Sequence, residues 1–196
     1  MILTIENVNR QLKINAVIKG ILLGFIVLVF SIFSYYFITR LTTTPQWILG
    51  GPYIFAIIIP LVVTLFFCVN LRGKLGGYWT FRQAVTSIFI MFLVCYAILT
   101  IGRDLVFSKL IEPNMVHNTE EVMLNVKAQS LKINGQNPAQ VKQQVSDLRQ
   151  QFDSQTTPGV FVILQNYIIN IILLFVLAIV FSAIFKKDPK FAPVNK

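Results

Sequence analysis

Charged residues are scarce in this chain of 196 residues: Asp, Glu, Lys and Arg together make up 13% of it. An average soluble domain carries about 25%. Hydrophobic residues account for 55%, including 17 Phe, so too little polar surface remains to cover a water-soluble fold of this size. The composition therefore excludes a soluble globular protein and indicates a membrane protein.

The residues on which most catalytic and metal sites depend are also few. His117 is the only histidine, and none of the 8 acidic residues falls within a long apolar stretch. The chain therefore lacks the residues needed for paired-histidine metal sites, and it has few for histidine-based triads or for carboxylate proton relays inside a membrane. The sequence also lacks phosphate-binding loops, nucleophile elbows and dinucleotide fingerprints. We expect no enzyme activity, no metal and no cofactor.

Four stretches contain no charged residue and are long enough to cross a bilayer as α-helices. Twenty helical residues rise about 30 Å, which matches the thickness of the hydrocarbon core. The first stretch is too long for the core of a signal peptide and no small-residue cleavage site follows it, so we expect it to be retained. The sequence predicts an all-α fold, an integral membrane four-helix bundle, with spans at 20–39, 52–71, 83–102 and 159–185.

Lys and Arg are concentrated on one side of the four predicted spans. Ten of the 17 fall in 1–19, 72–82 and 186–196, whereas seven fall in 40–51 and 103–158 together with six acidic residues. The side denser in basic residues is expected to be cytoplasmic, so both termini should lie in the cytoplasm. The basic residues lie close to span ends and are not interleaved with aromatics on a polar face, so we expect no nucleic-acid partner.

The segment 103–158 is the one long polar part of the chain, and it is too long for a structureless loop. Asn137 is a suitable N-cap and Pro138 a suitable first residue for a helix over 138–153. An earlier helix is expected from 113 to about 131, and the string NGQN between the two is typical of a turn. The sequence therefore predicts an extracytoplasmic αα-hairpin between spans 3 and 4.

Apolar residues recur on one face of the second hairpin helix at spacings of 4, 3 and 4. Such a face can dock a partner protein or pack on the neighbouring hairpin helix, and the sequence favours packing over docking. The residues of this candidate partner face are Val141, Val145, Leu148 and Phe152.

Gly20 and Gly24 form a G-x-x-x-G motif in the first span. Small residues at this spacing let two membrane helices approach closely. The second helix can belong to another copy of the chain, which makes a homo-oligomer, or to the same chain. We favour packing within the same chain, or a chance occurrence of the spacing, over dimerisation.

Five polar side chains are expected at similar depth in spans 3 and 4. Unpaired amides are costly in hydrocarbon, so these side chains should point toward partners inside the protein. They either line a polar cleft in the outer half of the bundle or form interhelical hydrogen bonds that fix packing, and we favour the second. The five are Tyr96, Thr100, Gln165, Asn166 and Asn170.

Four short strings carry a resemblance to a known family. They are GGYWTFRQA at 76–84, NPAQVKQQV at 137–145, TPG at 157–159 and FKKDP at 185–189. In this order and spacing the chain resembles, over about residues 10–190, a bacterial family of four-span membrane proteins termed domain of unknown function 4199. The resemblance implies the four-span architecture and a bacterial membrane. It implies no catalytic residue.

These observations predict a multi-pass protein of the bacterial inner membrane, with the lipid bilayer as one partner. For function we expect a non-enzymatic scaffold or accessory subunit that presents the periplasmic hairpin to an envelope protein partner. The alternative is a small oligomeric transporter or channel that uses the polar cleft. The expected layout is a cytoplasmic segment at 1–19, spans 1 to 3 at 20–102, the hairpin at 103–158, span 4 at 159–185 and a basic tail at 186–196.

Overall fold

A computed structural model of the chain describes residues 5–74, 77–156 and 159–187. Nearly all of these residues are helical and none forms a strand, which confirms the all-α class. The predicted basic tail lies outside the described residues beyond Lys187. The helices are α1 (Ile5–Tyr36), α2 (Pro45–Tyr53), α3 (Ile59–Gly73), α4 (Phe81–Leu99), α5 (Met115–Ile133), α6 (Pro138–Thr156) and α7 (Val160–Phe185), with π-helical segments at Phe37–Leu41, Ile54–Ile58 and Thr100–Ile111.

Four helical stretches in the described part of the chain are long and apolar enough to cross a membrane, as predicted. They are Asn9–Leu41, Pro45–Gly73, Phe81–Ile111 and Val160–Phe185. The first three each contain one predicted span and extend well beyond it, and the fourth begins one residue after the predicted start of span 4. The third continues past Arg103 because nothing in 103–111 stops a helix, and it ends where Glu112 precedes Pro113, since a proline disfavours the α conformation of the residue before it.

The four spans leave most of their apolar surface facing outward. No more than 33% of the apolar window of any span is buried, and for the last span the figure is 11%. In water such a surface would be unstable, whereas in a bilayer it contacts lipid tails. This distribution is the one expected of a polytopic membrane protein.

The described chain forms two compact units, the first of which comprises Met1–Phe25, Leu61–Ile98 and Tyr167–Lys196. In it the backbone of Trp79, just before α4, pairs with that of Lys187, just after α7. The Trp79 N–H donates to the Lys187 carbonyl at 2.8 Å, and the Lys187 N–H donates to the Trp79 carbonyl at 2.9 Å. Gly77 supports this arrangement with a φ of +87°, which favours glycine. Two of the strings that carry the family resemblance therefore meet here.

Gly20 and Gly24 lie where α1 packs against α4 of the same unit. A Cβ atom on Gly20 would lie 2.7 Å from the Met91 carbonyl oxygen and 2.8 Å from the Val94 Cβ. A Cβ atom on Gly24 would lie 2.9 Å from the Ile98 Cβ. The motif thus serves helix packing within one chain, the second of the two alternatives.

The second unit comprises Ile26–Pro60 and Leu99–Asn166, and it contains the predicted hairpin. Helices α5 and α6 pack against each other and are joined by a short turn at 134–137, in which Gly135 has a φ of +69°. The Asn137 side chain accepts a hydrogen bond from the Ala139 N–H at 3.1 Å, as expected of an N-cap. Both helices run two or three residues past their predicted ends.

Helix α5 also packs against α2 and the π-helical segment Phe37–Leu41. Ile38, Ile48 and Val126 form the buried centre of this contact, which we call the docking cluster. Burying an aliphatic side chain of this size stabilises by about 1.5–3 kcal/mol. The first hairpin helix, α5, is therefore held against the end of span 1 and the beginning of span 2.

Candidate functional site

A polar network joins the end of α1 to the beginning of the hairpin within the second unit. The Tyr35 hydroxyl donates to Glu112 Oε1 at 3.1 Å and accepts from Asn118 Nδ2 at 3.0 Å. Asn118 Nδ2 also lies 3.4 Å from Glu112 Oε1. Tyr35 is buried, with 3% of its surface exposed. These hydrogen bonds are therefore partly shielded from water, so losing one is costly.

Arg40 completes the network from the exposed side. Its Nη2 lies 3.7 Å from Glu112 Oε1, and its guanidinium lies over the Tyr36 ring at 5.1 Å. The Glu112 side chain is only 18% exposed. Its negative charge is compensated by the Arg40 cation and by two hydrogen-bond donors, Tyr35 and Asn118. The network fixes the direction in which the chain enters α5.

We expect Tyr35→Phe to lower the free energy of unfolding by about 1–2 kcal/mol, because Asn118 and Glu112 each lose a partner. The matched control is Tyr36→Phe, since no hydrogen bond from the described residues reaches the Tyr36 hydroxyl and the ring contacts are retained. Thermal unfolding of both purified variants in the same detergent measures the difference. Equal losses in the two variants would show that the Tyr35 hydroxyl contributes nothing.

A cleft of about 320 Å³ adjoins the network. Side chains from all three π-helical segments line it, among them Ile38, Phe55 and Arg103. Segments of π-helix are uncommon and often occur at functional sites. Helix α5 contributes the polar Thr119 and two methionines to the same cleft. Its lining comprises Val27, Ser31, Ser34, Tyr35, Ile38, Pro52, Phe55, Ala56, Leu99, Arg103, Met115, Thr119 and Met123.

The chemistry of this cleft is mainly apolar with a few polar groups. Ser31, Ser34 and Thr119 supply hydroxyls, and Arg103 supplies a cation that is shared with Asp104 at 3.8 Å. Small-molecule sites commonly combine an apolar lining of this size with a few placed polar groups. The cleft can therefore hold a small, partly apolar molecule.

The outer surface of the hairpin is formed by the polar side of α6. Lys142, Gln143, Asp147 and Gln150 are all exposed. Arg149, which is also exposed, has its Nε 3.5 Å from Oε1 of Glu120, whose side chain is 13% exposed. This ion pair joins α6 to α5, so α6 is held by charge as well as by apolar contacts.

The structure favours packing over docking for the predicted partner face. Val141 is buried, and Val145, Leu148 and Phe152 are half-buried, whereas most other described side chains of α6 are exposed. Leu148 and Phe152 also line a groove together with Met123 of α5 and Leu49 and Tyr53 of α2. The apolar stripe therefore lies on the side of α6 that packs within the second unit.

Of the five residues of the predicted polar cleft, Tyr96 and Asn170 belong to the first unit and Thr100, Gln165 and Asn166 to the second. Asn170 Nδ2 donates to the Tyr96 hydroxyl at 3.3 Å, an interhelical hydrogen bond in the first unit. Thr100 is half-buried, and Gln165 and Asn166 are exposed. No hydrogen bond among the described residues joins these three side chains. The pair Tyr96 and Asn170 thus behaves as a packing contact, the alternative that the sequence favoured.

Sequence reasoning missed the network around Tyr35, Glu112 and Asn118. Tyr35 and Asn118 are 83 residues apart in the chain, so helical periodicity carries no signal for their contact. Glu112 alone gave a local hint, because it directly precedes Pro113 at the entry to the hairpin. In the residues that the structure describes, no group of three or more His, Cys, Asp or Glu side chains is placed to hold a metal ion.

A comparison with protein families gives one match. The family described as Protein of unknown function (DUF4199) matches residues 19–187, which is most of the chain. Neither a curated protein nor a solved structure matches the sequence.

Proposed function

The chain belongs to the DUF4199 family of proteins of unknown function, and we propose that it is a non-enzymatic membrane scaffold or accessory subunit. In this proposal the protein presents the hairpin formed by α5 and α6 to an envelope partner protein. The observation that carries the proposal is the attachment of α5 within the second unit, by the docking cluster and by the network around Tyr35. A hairpin held in this way displays α6 in a defined position.

Rigid display favours recognition by a partner. A segment that must order itself on binding loses about 0.5–1.5 kcal/mol for each immobilised side chain, and more for the backbone. Because α5 is fixed by the buried Ile38, Ile48 and Val126, α6 loses less freedom when a partner binds. The attachment therefore supports a binding role over that of a loosely tethered loop.

The exposed face of α6 has the composition of a polar, non-obligate interface. It carries amides and charges of both signs, including Lys142, Gln143, Asp147 and Gln150. Interfaces that form and dissociate are about as polar as the rest of a protein surface and contain many hydrogen bonds. At 19 residues, α6 is about 28 Å long. A standard protein interface uses about 20–30 residues on each side, so the exposed face of α6 supplies part of one.

We propose that the protein lies in the inner membrane of a bacterium and that its partner lies outside the cytoplasm. The distribution of Lys and Arg favours an orientation with both termini in the cytoplasm. The hairpin segment lies on the other side in that orientation. A periplasmic protein, or the periplasmic part of another membrane protein, is then the partner.

Photo-cross-linking in intact cells tests the proposal. A benzophenone side chain is introduced at Gln143 or at Gln150, two helical turns apart on the exposed face of α6. We expect both positions to give the same discrete adduct with an extracytoplasmic protein. The control position is Phe66 of α3, which is 66% exposed on an apolar span and should contact lipid instead.

The outcomes separate the proposal from its alternatives. An adduct with a cytosolic protein would contradict the orientation, and the absence of an adduct at both α6 positions would contradict the scaffold function. A homo-oligomer without a partner would favour the alternative function, a small oligomeric transporter or channel. The cleft lined by Ser31, Ser34 and Arg103 is the observation that favours this alternative, and flux through reconstituted vesicles would then be measured.

A further inference from the structure

A cavity of about 380 Å³ lies in the first unit, between the beginning of α1 and the beginning of α4. No residue of the proposed hairpin function contributes to it. Two basic side chains and several amides and hydroxyls form its lining, with Leu12 and Ser87 as its buried part. The lining residues are Asn9, Leu12, Lys13, Thr80, Arg82, Gln83, Thr86 and Ser87.

Three neutral polar side chains of the cavity, those of Asn9, Thr80 and Gln83, are held by hydrogen bonds to one another. Gln83 Nε2 donates to Asn9 Oδ1 at 3.2 Å, which links α4 to α1. The Thr80 hydroxyl donates to Gln83 Oε1 at 3.0 Å, and the Thr80 N–H lies 3.4 Å from the same oxygen. Thr80 and Gln83 thus form a capping box at the start of α4. The wall of the cavity is therefore ordered independently of any ligand.

The two basic groups of the cavity have no described counter-charge. Lys13 and Arg82 are exposed and form no ion pair with a described side chain. Two other cations of this unit have neutral partners instead: Lys74 Nζ donates to Asn15 Oδ1 at 2.7 Å, and Lys19 lies over the Phe67 ring at 4.9 Å. Glu6 and Asp188 are the only acidic residues within the sequence ranges of the unit, and their side chains are not among those described.

We propose that this cavity binds the phosphate-bearing headgroup of an anionic phospholipid. Arg82 immediately precedes the apolar run of α4, so its guanidinium lies at the level where lipid phosphates meet the hydrocarbon. Gln83 is hydrogen-bonded to Asn9 at 3.2 Å, so Lys13, one helical turn beyond Asn9 along α1, lies about 6 Å closer to the hydrocarbon than Arg82 does. The buried Leu12 and Ser87 close the cavity toward the membrane interior. Basic pockets between membrane helices are known to select anionic headgroups.

A net negative headgroup fits better than a zwitterionic one. Both carry a phosphate, but a zwitterionic lipid brings its own cation to a cavity that already has two. The side-chain amides of Asn9 and Gln83 add neutral N–H donors for phosphate oxygens or for a glycerol headgroup. The hydroxyls of Thr80 and Thr86 already donate to Gln83 Oε1 and to the Arg82 carbonyl. General attraction of basic residues to an anionic membrane surface does not need a shaped cavity, so position matters as well as charge in this proposal.

Lipid titration of the full chain in neutral detergent tests the proposal. The probes are short-chain phosphatidylglycerol, short-chain phosphatidylcholine and inorganic phosphate, and native mass spectrometry counts the bound molecules.

The variant that tests the two cations is Lys13→Gln with Arg82→Gln. Its control is Arg10→Gln with Arg72→Gln, which removes the same charge from residues of the same unit that do not line the cavity. We expect saturable phosphatidylglycerol binding that the first variant weakens by about 10- to 30-fold, since each cation near a lipid surface is worth about a factor of five.

Several outcomes would overturn this inference. Equal losses in both double variants would reduce the binding to general surface charge. Equal affinity for phosphatidylcholine would remove the preference for a net negative headgroup. Displacement of the lipid by millimolar inorganic phosphate would assign the cavity to a soluble anion instead. Retention of the circular-dichroism spectrum by the first variant shows that any loss of binding is not a loss of folding.

Discussion

Gly20→Ala is expected to lower the free energy of unfolding by about 2 kcal/mol, although alanine is the better helix former by about 1 kcal/mol. The added Cβ would lie 2.7 Å from the Met91 carbonyl oxygen. A backbone atom inside α4 cannot move aside cheaply, so α1 and α4 must separate. The loss of close packing then exceeds the gain in helix propensity. Unfolding of the purified protein in mixed detergent micelles measures the change.

Gly50→Ala is the matched control for this substitution. Gly50 also lies within a helix, α2, but a Cβ atom there would meet nothing within 4 Å. We expect Gly50→Ala to leave stability unchanged or to raise it by about 0.5–1 kcal/mol. If Gly20→Ala dissociated an oligomer without destabilising the monomer, the motif would face another copy of the chain. Gly20 would then not serve the packing of α1 against α4.

The behaviour of Gly20 shows where sequence reasoning stops for a membrane protein. The spacing of Gly20 and Gly24 reveals that some helix approaches closely, because only small residues allow it. It does not reveal which helix, since all four spans are strongly apolar and any of them could supply the facing surface. The four spans, in contrast, could be predicted from hydropathy and length, because the thickness of the bilayer sets how long an apolar helix must be to cross it. Contacts between distant spans depend on how the helices are rotated, which composition does not encode.

The hairpin illustrates the same limit at a finer scale. Helix α6 has one packed side, and its apolar residues recur regularly enough to be recognised from the sequence. Helix α5 packs against α6 and also against α2 and Phe37–Leu41, so its apolar residues occupy two sides and their spacing is irregular. The sequence predicted that α5 exists but not that it is attached to the end of α1 and to α2. The attachment is the feature on which the proposed function depends.

Val126→Asp is expected to detach α5 from the rest of the second unit while the membrane spans remain folded. Val126 is 6% exposed in the docking cluster, so the substitution removes about 1.5–3 kcal/mol of apolar burial and places a carboxylate among Ile38 and Ile48. Release of α5 lets the carboxylate reach water. The cost therefore appears as a local opening and not as global unfolding.

Hydrogen exchange measured by mass spectrometry detects such an opening. We expect the amides of Met115–Ile133 to exchange roughly a hundredfold faster in Val126→Asp, which corresponds to about 3 kcal/mol of lost protection. Ile133→Asp is the control, because it adds the same charge to the same helix at a side chain that is 72% exposed. We expect its exchange to match that of the unmodified protein.

The same pair of variants links the attachment of α5 to the proposed function. If rigid display of α6 is what a partner recognises, Val126→Asp abolishes the cross-link formed from Gln143, whereas Ile133→Asp retains it. A cross-link that survives in Val126→Asp despite fast exchange would mean that the partner binds a free hairpin, and the docking cluster would then serve stability alone. Unchanged exchange in both variants would instead show that the network of Tyr35, Glu112 and Asn118 holds α5 without help from Val126.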